Sequence, residues 1–280
     1  MLSDAAFISI VLGLVVGSFL TVVVHRLPAK LGLVGADPHD DSSCDTTPIQ
    51  APGLLRPRSH CPKCRISLSW HENIPLVSFV LQRGRCRHCG VRVSWRYPII
   101  ESITALVSFL VVFALGTEWL TLAALAFSWA LIALAFIDID HYLLPDAITL
   151  PLLWAGLLVN CFSGFVHPAA AVIGAAAGYL VLWLLFHLYR LITSREGFGY
   201  GDFKMLAAVG AWLGWAWLPL VLFIAATVGA VTGALTLLLK RDGSGRILPF
   251  GPFLSLAAII VLLFGEHLIS TYISLSGHGY

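Results

Sequence analysis

Charge is what this sequence has least of. Of its 280 residues only 11% are Asp, Glu, Lys or Arg, while 58% are hydrophobic. A soluble domain carries about 25% charged residues, so an ordinary water-soluble fold is excluded and a membrane protein indicated. The mean hydropathy of +0.88 agrees. Basic residues are also missing ahead of the first apolar stretch, 5–24, whereas His25, Arg26 and Lys30 follow it. A cleavable secretory signal has the opposite order. The stretch is therefore expected to stay on as a helix with its N-terminus outside. No internal repeat, long low-complexity tract or glycine-rich dinucleotide-type fingerprint is visible. Cysteine is scarce too, and four of the six form two Cys-x-x-Cys pairs, which does not suggest a disulfide framework.

A membrane-crossing helix needs about 20 mostly apolar residues. Candidates lie at 5–24, 98–115, 119–137, 145–164, 168–190, 203–215, 217–239 and 248–270. The expected fold is an all-α polytopic membrane protein of about eight transmembrane helices, with a small cytoplasmic domain inserted between the first and second. The stretch 203–215 is short, and is expected to start inside a protein-lined cavity. The inner loops would be 25–97, 138–144, 191–202 and 240–247. Eleven of the seventeen Lys and Arg residues fall within 26–96, and none falls in the outer segments 1–4, 116–118, 165–167 or 271–280. The positive-inside rule therefore places both termini outside and 25–97 in the cytoplasm.

Three segments follow: a first helix (1–24), a cytoplasmic insertion (25–97) and a transmembrane core (98–280). The insertion reads as a flexible loop to about Pro57, then a cysteine-bearing portion, 58–97, with short β-like runs. About 40 residues are too few for a core without a staple. Cys61-Pro-Lys-Cys64 and Cys86-Arg-His-Cys89, 21 residues apart, supply one. Two turns with two thiolates each suit a structural zinc ion, and a reducing cytoplasm argues against disulfides. Basic residues beside the cysteines are expected to offset thiolate charge and face anionic lipid headgroups, so nucleic acid is not an expected partner. Cys161 is expected to be a packing residue.

Ionisable groups near the bilayer are costly and suggest function. Asp138 and Asp140 end one apolar helix, Pro145 and Asp146 begin the next, and Gly199-Tyr-Gly-Asp202 precedes another. The topology puts both stretches on the cytoplasmic side. Two carboxylates a few ångströms apart cannot both ionise cheaply, so one holds a proton while the other acts as base, the chemistry of aspartic proteases. Asp138 and Asp202 are the candidate catalytic pair. Gly199 and Gly201 would allow close backbone approach, and Pro145 would break the helix and open space for substrate. Asp146 is expected to be an N-cap. Glu101, His141 and His187 are expected to pack or face the membrane interface rather than react.

At these residues the chain resembles the bacterial type IV prepilin peptidases of type IV pili and type II secretion, which are intramembrane aspartyl proteases. The resemblance runs through Gly17-Ser-Phe-Leu-Thr-Val-Val-Val-His-Arg-Leu-Pro28, the paired cysteines, Asn73-Ile-Pro-Leu76 and Arg96-Tyr-Pro-Ile-Ile-Glu101. It continues through Asp138, Leu144-Pro-Asp146, Gly199-Tyr-Gly-Asp202 and Pro249-Phe-Gly-Pro-Phe253. Thr21 stands where the family usually has Asn. The resemblance implies cleavage of the basic leader of prepilins or pseudopilins at the cytoplasmic face of the inner membrane, with Asp138 and Asp202 matching the catalytic aspartates. It also implies N-methylation of the new N-terminal residue from S-adenosylmethionine, a role associated with the cysteine-containing insertion. No residue is assigned to the donor. Membrane lipids and pilus or secretion assembly components are the further partners implied. Against this stand a monofunctional peptidase, an ion-coupled transporter and a non-catalytic assembly scaffold. The acidic cluster Asp37, Asp40, Asp41 and Asp45 reads first as a solvated loop; the alternative is a capture site for the basic leader.

Overall fold

A computed structural model of the protein describes residues 2–33, 53, 60, 61, 63, 64, 66, 67, 69, 74–162, 164–193, 199–239 and 248–275. The acidic cluster at 37–45 lies outside these. The chain divides into two compact units, 1–117 and 118–280. Among the described residues six helices are long and apolar enough to cross a membrane, as a multi-pass membrane protein requires. Two further helices at the expected positions are shorter.

The first unit contains α1 (Leu2–Lys30), α2 (Val77–Leu81) and α3 (Arg96–Leu115). α1 outruns its apolar stretch by a turn and a half, because nothing stops it before Gly32. That glycine has φ +65°, and its N–H reaches Ala29 O while Leu33 N–H reaches Pro28 O, each at 3.0 Å. The left-handed cap thus satisfies two of the last carbonyls. α1 and α3 meet through small residues, as helices do where lipid offers no hydrophobic drive. A Cβ on Gly13 would lie 2.6 Å from Ala105 Cα, and one on Gly17 2.8 Å from Glu101 Cα. Thr21 donates to Ser18 O within its own helix. The β-like runs expected in 58–97 do not form a sheet: among the described residues there is no strand, only two isolated bridges and α2. The two cysteine turns consume the backbone pairing that longer strands would need.

The second unit contains α4 (Trp119–His141), α5 (Asp146–Cys161), α6 (Pro168–Thr193), α7 (Tyr200–Leu213), α8 (Leu218–Leu239) and α9 (Gly251–Leu275). α7 is its core. From Asp202 to Leu213 only Lys204 is not buried. Its neighbours α5, α6, α8 and α9 enclose it. Gly174 and Gly178 of α6 bring that helix onto α7, where a Cβ at Gly178 would lie 2.5 Å from Leu206 O. Gly174 and Gly210 face each other so closely that a Cβ on either would overlap the other's carbonyl. At the far end of α7, Asn160 of α5 donates to Ala211 O and Trp212 O at 2.8 and 3.1 Å and accepts from Val166 N–H. This side chain takes up carbonyls that a helix end leaves open. Trp212 stacks on Phe127 with centroids 4.7 Å apart, and its indole N–H donates to Leu152 O, so the one polar atom of a buried ring is satisfied. Cys161, expected to pack, is exposed at the end of α5, because the α5 face used for packing carries Leu152, Gly156 and Asn160.

These contacts separate two kinds of glycine. Gly210→Ala is expected to destabilise the protein by about 1–3 kcal/mol through overpacking. Gly233→Ala, whose new Cβ would sit 3.5 Å from Leu248, should be neutral or stabilising by up to about 1 kcal/mol. Thermal unfolding in detergent measures both; equal melting points would refute the packing role of Gly210.

Candidate active site and metal centre

Pairing across the second unit sets helix directions. Asp146 at the start of α5 meets Lys204 in the first turn of α7, and Asn160 at its end meets the end of α7, so α5 and α7 run parallel. Gly251 at the start of α9 meets Asp138 near the end of α4, and Ser255 donates to Leu131 O, so those two run antiparallel. The N-termini of α5, α7 and α9 therefore gather where α4 ends. Helix N-termini carry partial positive charge, which favours carboxylates nearby.

Two buried carboxylates lie there. Asp138 is 6% exposed and Asp202 7%, and Leu144 lies against a glycine at each: a Cβ on Gly251 would be 3.2 Å from its Cδ2 and one on Gly201 2.8 Å from its Cβ. Asp138 Oδ2 accepts the Gly251 N–H at 2.9 Å. A Cβ on Gly251 would stand 2.6 Å from that oxygen, so glycine is what admits the bond. α4 stops one turn later at Tyr142, a non-glycine residue in the left-handed region (φ 55°, ψ 38°), whose N–H bonds Asp138 O at 2.9 Å. Residues with side chains enter this region rarely and at a cost. Asp202 sits in the first turn of α7, its N–H directed to Gly199 O at 3.2 Å. Gly199 is the extended N-cap residue. Gly201 is needed for another reason: a Cβ there would be 2.8 Å from Leu144 Cβ.

Asp138 lies in the last turn of α4 and Asp202 in the first turn of α7, and Pro145, between α4 and α5, is the α5 N-cap residue. Asp146 is not the N-cap. Its carboxylate instead binds Lys204 Nζ with both oxygens at 2.7 Å, since the parallel packing of α5 and α7 puts an ammonium within reach. His187 packs on Trp183, as expected. Glu101 packs too, and it also holds a turn. Its buried carboxylate accepts Leu76 N–H at 2.8 Å, where Leu76 has φ 55°. Gly251 and Leu144 are site residues that the sequence pattern does not single out. The signal for Gly251 is its pairing with Pro252, a helix start of the kind proline favours, inside a run that otherwise stands out only by family likeness.

The first unit holds the second site. The sulfurs of Cys61, Cys64, Cys86 and Cys89 lie within 4.8 Å of one another, and Cys61 Sγ is 3.7 Å from Cys89 Sγ. A tetrahedral metal with bonds of about 2.3 Å needs sulfurs about 3.8 Å apart, so the four thiols fit a metal ion. Both turns are built alike. Cys61 N–H donates to Ile66 O and Cys86 N–H to Val91 O, and the bridges His60–Ser67 and Arg85–Arg92 close them. The two turns thus share a backbone geometry, though outside the cysteines their residues differ. Partial burial would raise the Cys61 thiol, but hydrogen bonds with the backbone of Cys64 and Lys63 outweigh it and bring the pKa to about 7. The backbone bond with Val91 lowers the Cys89 thiol, but other influences together outweigh it. Desolvation and the neighbouring sulfurs push it up to about 11. A cation would relieve that crowding.

Comparison with known proteins bears on both units. Residues 11–115 match the bacterial peptidase A24 N-terminal domain, and residues 125–234 match the type IV leader peptidase family. A protein of Aeromonas hydrophila named prepilin leader peptidase/N-methyltransferase is 49% identical over 267 residues, covering 93% of this chain and 91% of its own. Proteins of the same name from Pseudomonas aeruginosa and Neisseria gonorrhoeae are 45% and 43% identical, covering 96% and 90% of this chain and 93% and 87% of their own. No solved structure matches. With such identity across both units, the chain belongs to the type IV leader peptidase family.

Proposed function

We propose that this protein cleaves the leader peptides of prepilins or pseudopilins and N-methylates the new N-terminus, and that Asp138 and Asp202 carry the cleavage. The observation that supports this most is the meeting of two buried carboxylates at the end of a membrane-length helix. Such a pair shares one proton. The ionised member takes a proton from water as it attacks the scissile carbonyl, and the protonated member gives one to the leaving nitrogen. Titration belongs to the pair as a unit. Gly251 N–H fixes the rotamer of Asp138, and the first turn of α7 fixes Asp202, which keeps the pair oriented without substrate. Gly199, Gly201 and Pro145 act as backbone supports.

In this reading residues 1–24 anchor the chain and 25–97 form the cytoplasmic insertion, with the metal site in 58–97. Residues 98–280 carry the protease, and both termini lie outside an inner membrane. Zinc is the metal the four thiols suit: soft ligands, four of them, tetrahedral. It would be structural, closing two turns in a segment too small to hold itself. S-adenosylmethionine would be the methyl donor, its site unassigned. Type IV pili and type II secretion are the contexts in which the substrates would be used, with membrane lipid and assembly components as partners.

Incubating purified protein with a prepilin peptide and a methyl-labelled donor, with mass spectrometry as readout, tests cleavage and methylation separately. Asp138→Asn and Asp202→Asn should each lower cleavage by about 10²–10⁴-fold, the range for loss of a positioned acid or base, while melting near wild type. The double variant should be little worse than either single one. Near wild-type turnover by either single variant would remove that residue from the centre.

Metal analysis of reduced protein should give one zinc per chain. Replacing both Cys61 and Cys86 by Ser should abolish it. Unchanged zinc in that variant would show that the ion is held elsewhere.

A further inference from the structure

The link from α4 to α5 touches the surroundings of both aspartates. Leu144 is the point of contact. A Cβ on Gly201 would lie 2.8 Å from Leu144 Cβ, and one on Gly251 3.2 Å from Leu144 Cδ2. Gly201 immediately precedes Asp202, and Gly251 holds Asp138 through its N–H. Leu144 therefore occupies the space two side chains would need, and bears on the backbone beside each carboxylate. Two residues further on, Asp146 grips Lys204 with both oxygens at 2.7 Å. Lys204 is the one residue from Asp202 to Leu213 that is not buried, and it lies two positions beyond Asp202.

We propose that Leu144 and the Asp146–Lys204 ion pair form one positioning clasp that sets the separation of Asp138 and Asp202, a reading that rests on this pair being the proteolytic centre. Leu144 is the spacer, and the ion pair keeps the spacer seated by tying the start of α5 to the start of α7. The side chains of the pair are 33% and 53% exposed, and such a pair adds little to stability. Its effect is on register. A displacement of about 1 Å in a reacting group can reduce turnover by about 100-fold, so a weak tie at this position matters more for rate than for folding. None of the three residues needs to touch substrate.

The test uses full-length protein in detergent with a prepilin peptide, leader cleavage being read by mass spectrometry. Asp146→Asn and Lys204→Gln are each expected to lower kcat about tenfold, a partial misplacement on that scale, with KM and melting temperature nearly unchanged. The double variant Asp146→Asn/Lys204→Gln should match the singles, because breaking one tie twice adds nothing. Lys204→Arg, which keeps the charge, should retain most of the turnover, and Leu144→Ala should lower kcat without raising KM. Wild-type kcat in both neutral singles overturns the clasp, as do effects that multiply in the double variant or fall on KM alone. Loss of turnover in Lys204→Arg equal to that in Lys204→Gln, or wild-type kcat in Leu144→Ala, also overturns it. If the wild-type protein leaves the peptide uncut while Asp138→Asn behaves identically, the proteolytic reading fails instead, and the two failures are distinct.

Discussion

Length is the constraint from which the rest of the second unit follows. Fourteen residues of α7 rise only about 21 Å, against a hydrocarbon layer of about 30 Å. A helix that short cannot meet water at both ends, and in lipid its terminal N–H and C=O groups would go unsatisfied. Protein must supply what the solvent does not. α6 reaches it through facing glycines, α5 caps its last carbonyls with Asn160, and Trp212 locks the two together. The enclosure that solves this problem also places Asp202 inside protein, at the level where α4 ends and Asp138 waits. The site is thus a by-product of burying a short helix, and its low dielectric is inherited from the same packing.

Much of this is legible in the sequence. Apolar runs locate every helix of the second unit to within a few residues, and the shortness of the run at 203–215 already hints that α7 is surrounded by protein. Basic residues group the two aspartate stretches on one side. Pairing between distant positions is what the sequence does not display. Gly251 and Asp138 are 113 residues apart, and no local pattern says which helix start will meet which helix end. Asp146 reads as a cap because an acidic residue opening a helix most often is one, and only the parallel course of α5 and α7 supplies Lys204 as a better partner. α1 reads too short for a related reason: hydropathy marks where lipid ends, whereas Gly32 marks where the helix ends.

The cysteine turns show the opposite balance. Here spacing alone announces the site, since two Cys-x-x-Cys pairs leave few other uses for their thiols. Spacing does not reveal that the turns are copies in backbone geometry. With matching i to i+5 bonds and matching bridges, each turn presents its sulfurs in the same way. Four thiols that could hold one metal ion thus need only one local solution used twice. That accounts for a compact cluster in a segment with no sheet among its described residues.

The Gly251–Asp138 hydrogen bond has a consequence in time. Chains are made from the N-terminus onward at about 5–20 residues per second. When α4 enters the membrane, the donor that orients its aspartate has not been synthesised, and neither has the glycine on which Leu144 will rest. Contacts this far apart in sequence form late. The proposed centre is consequently assembled last, by the helix that finishes the unit. A chain that ends before α9 has both aspartates but lacks the N–H that orients Asp138.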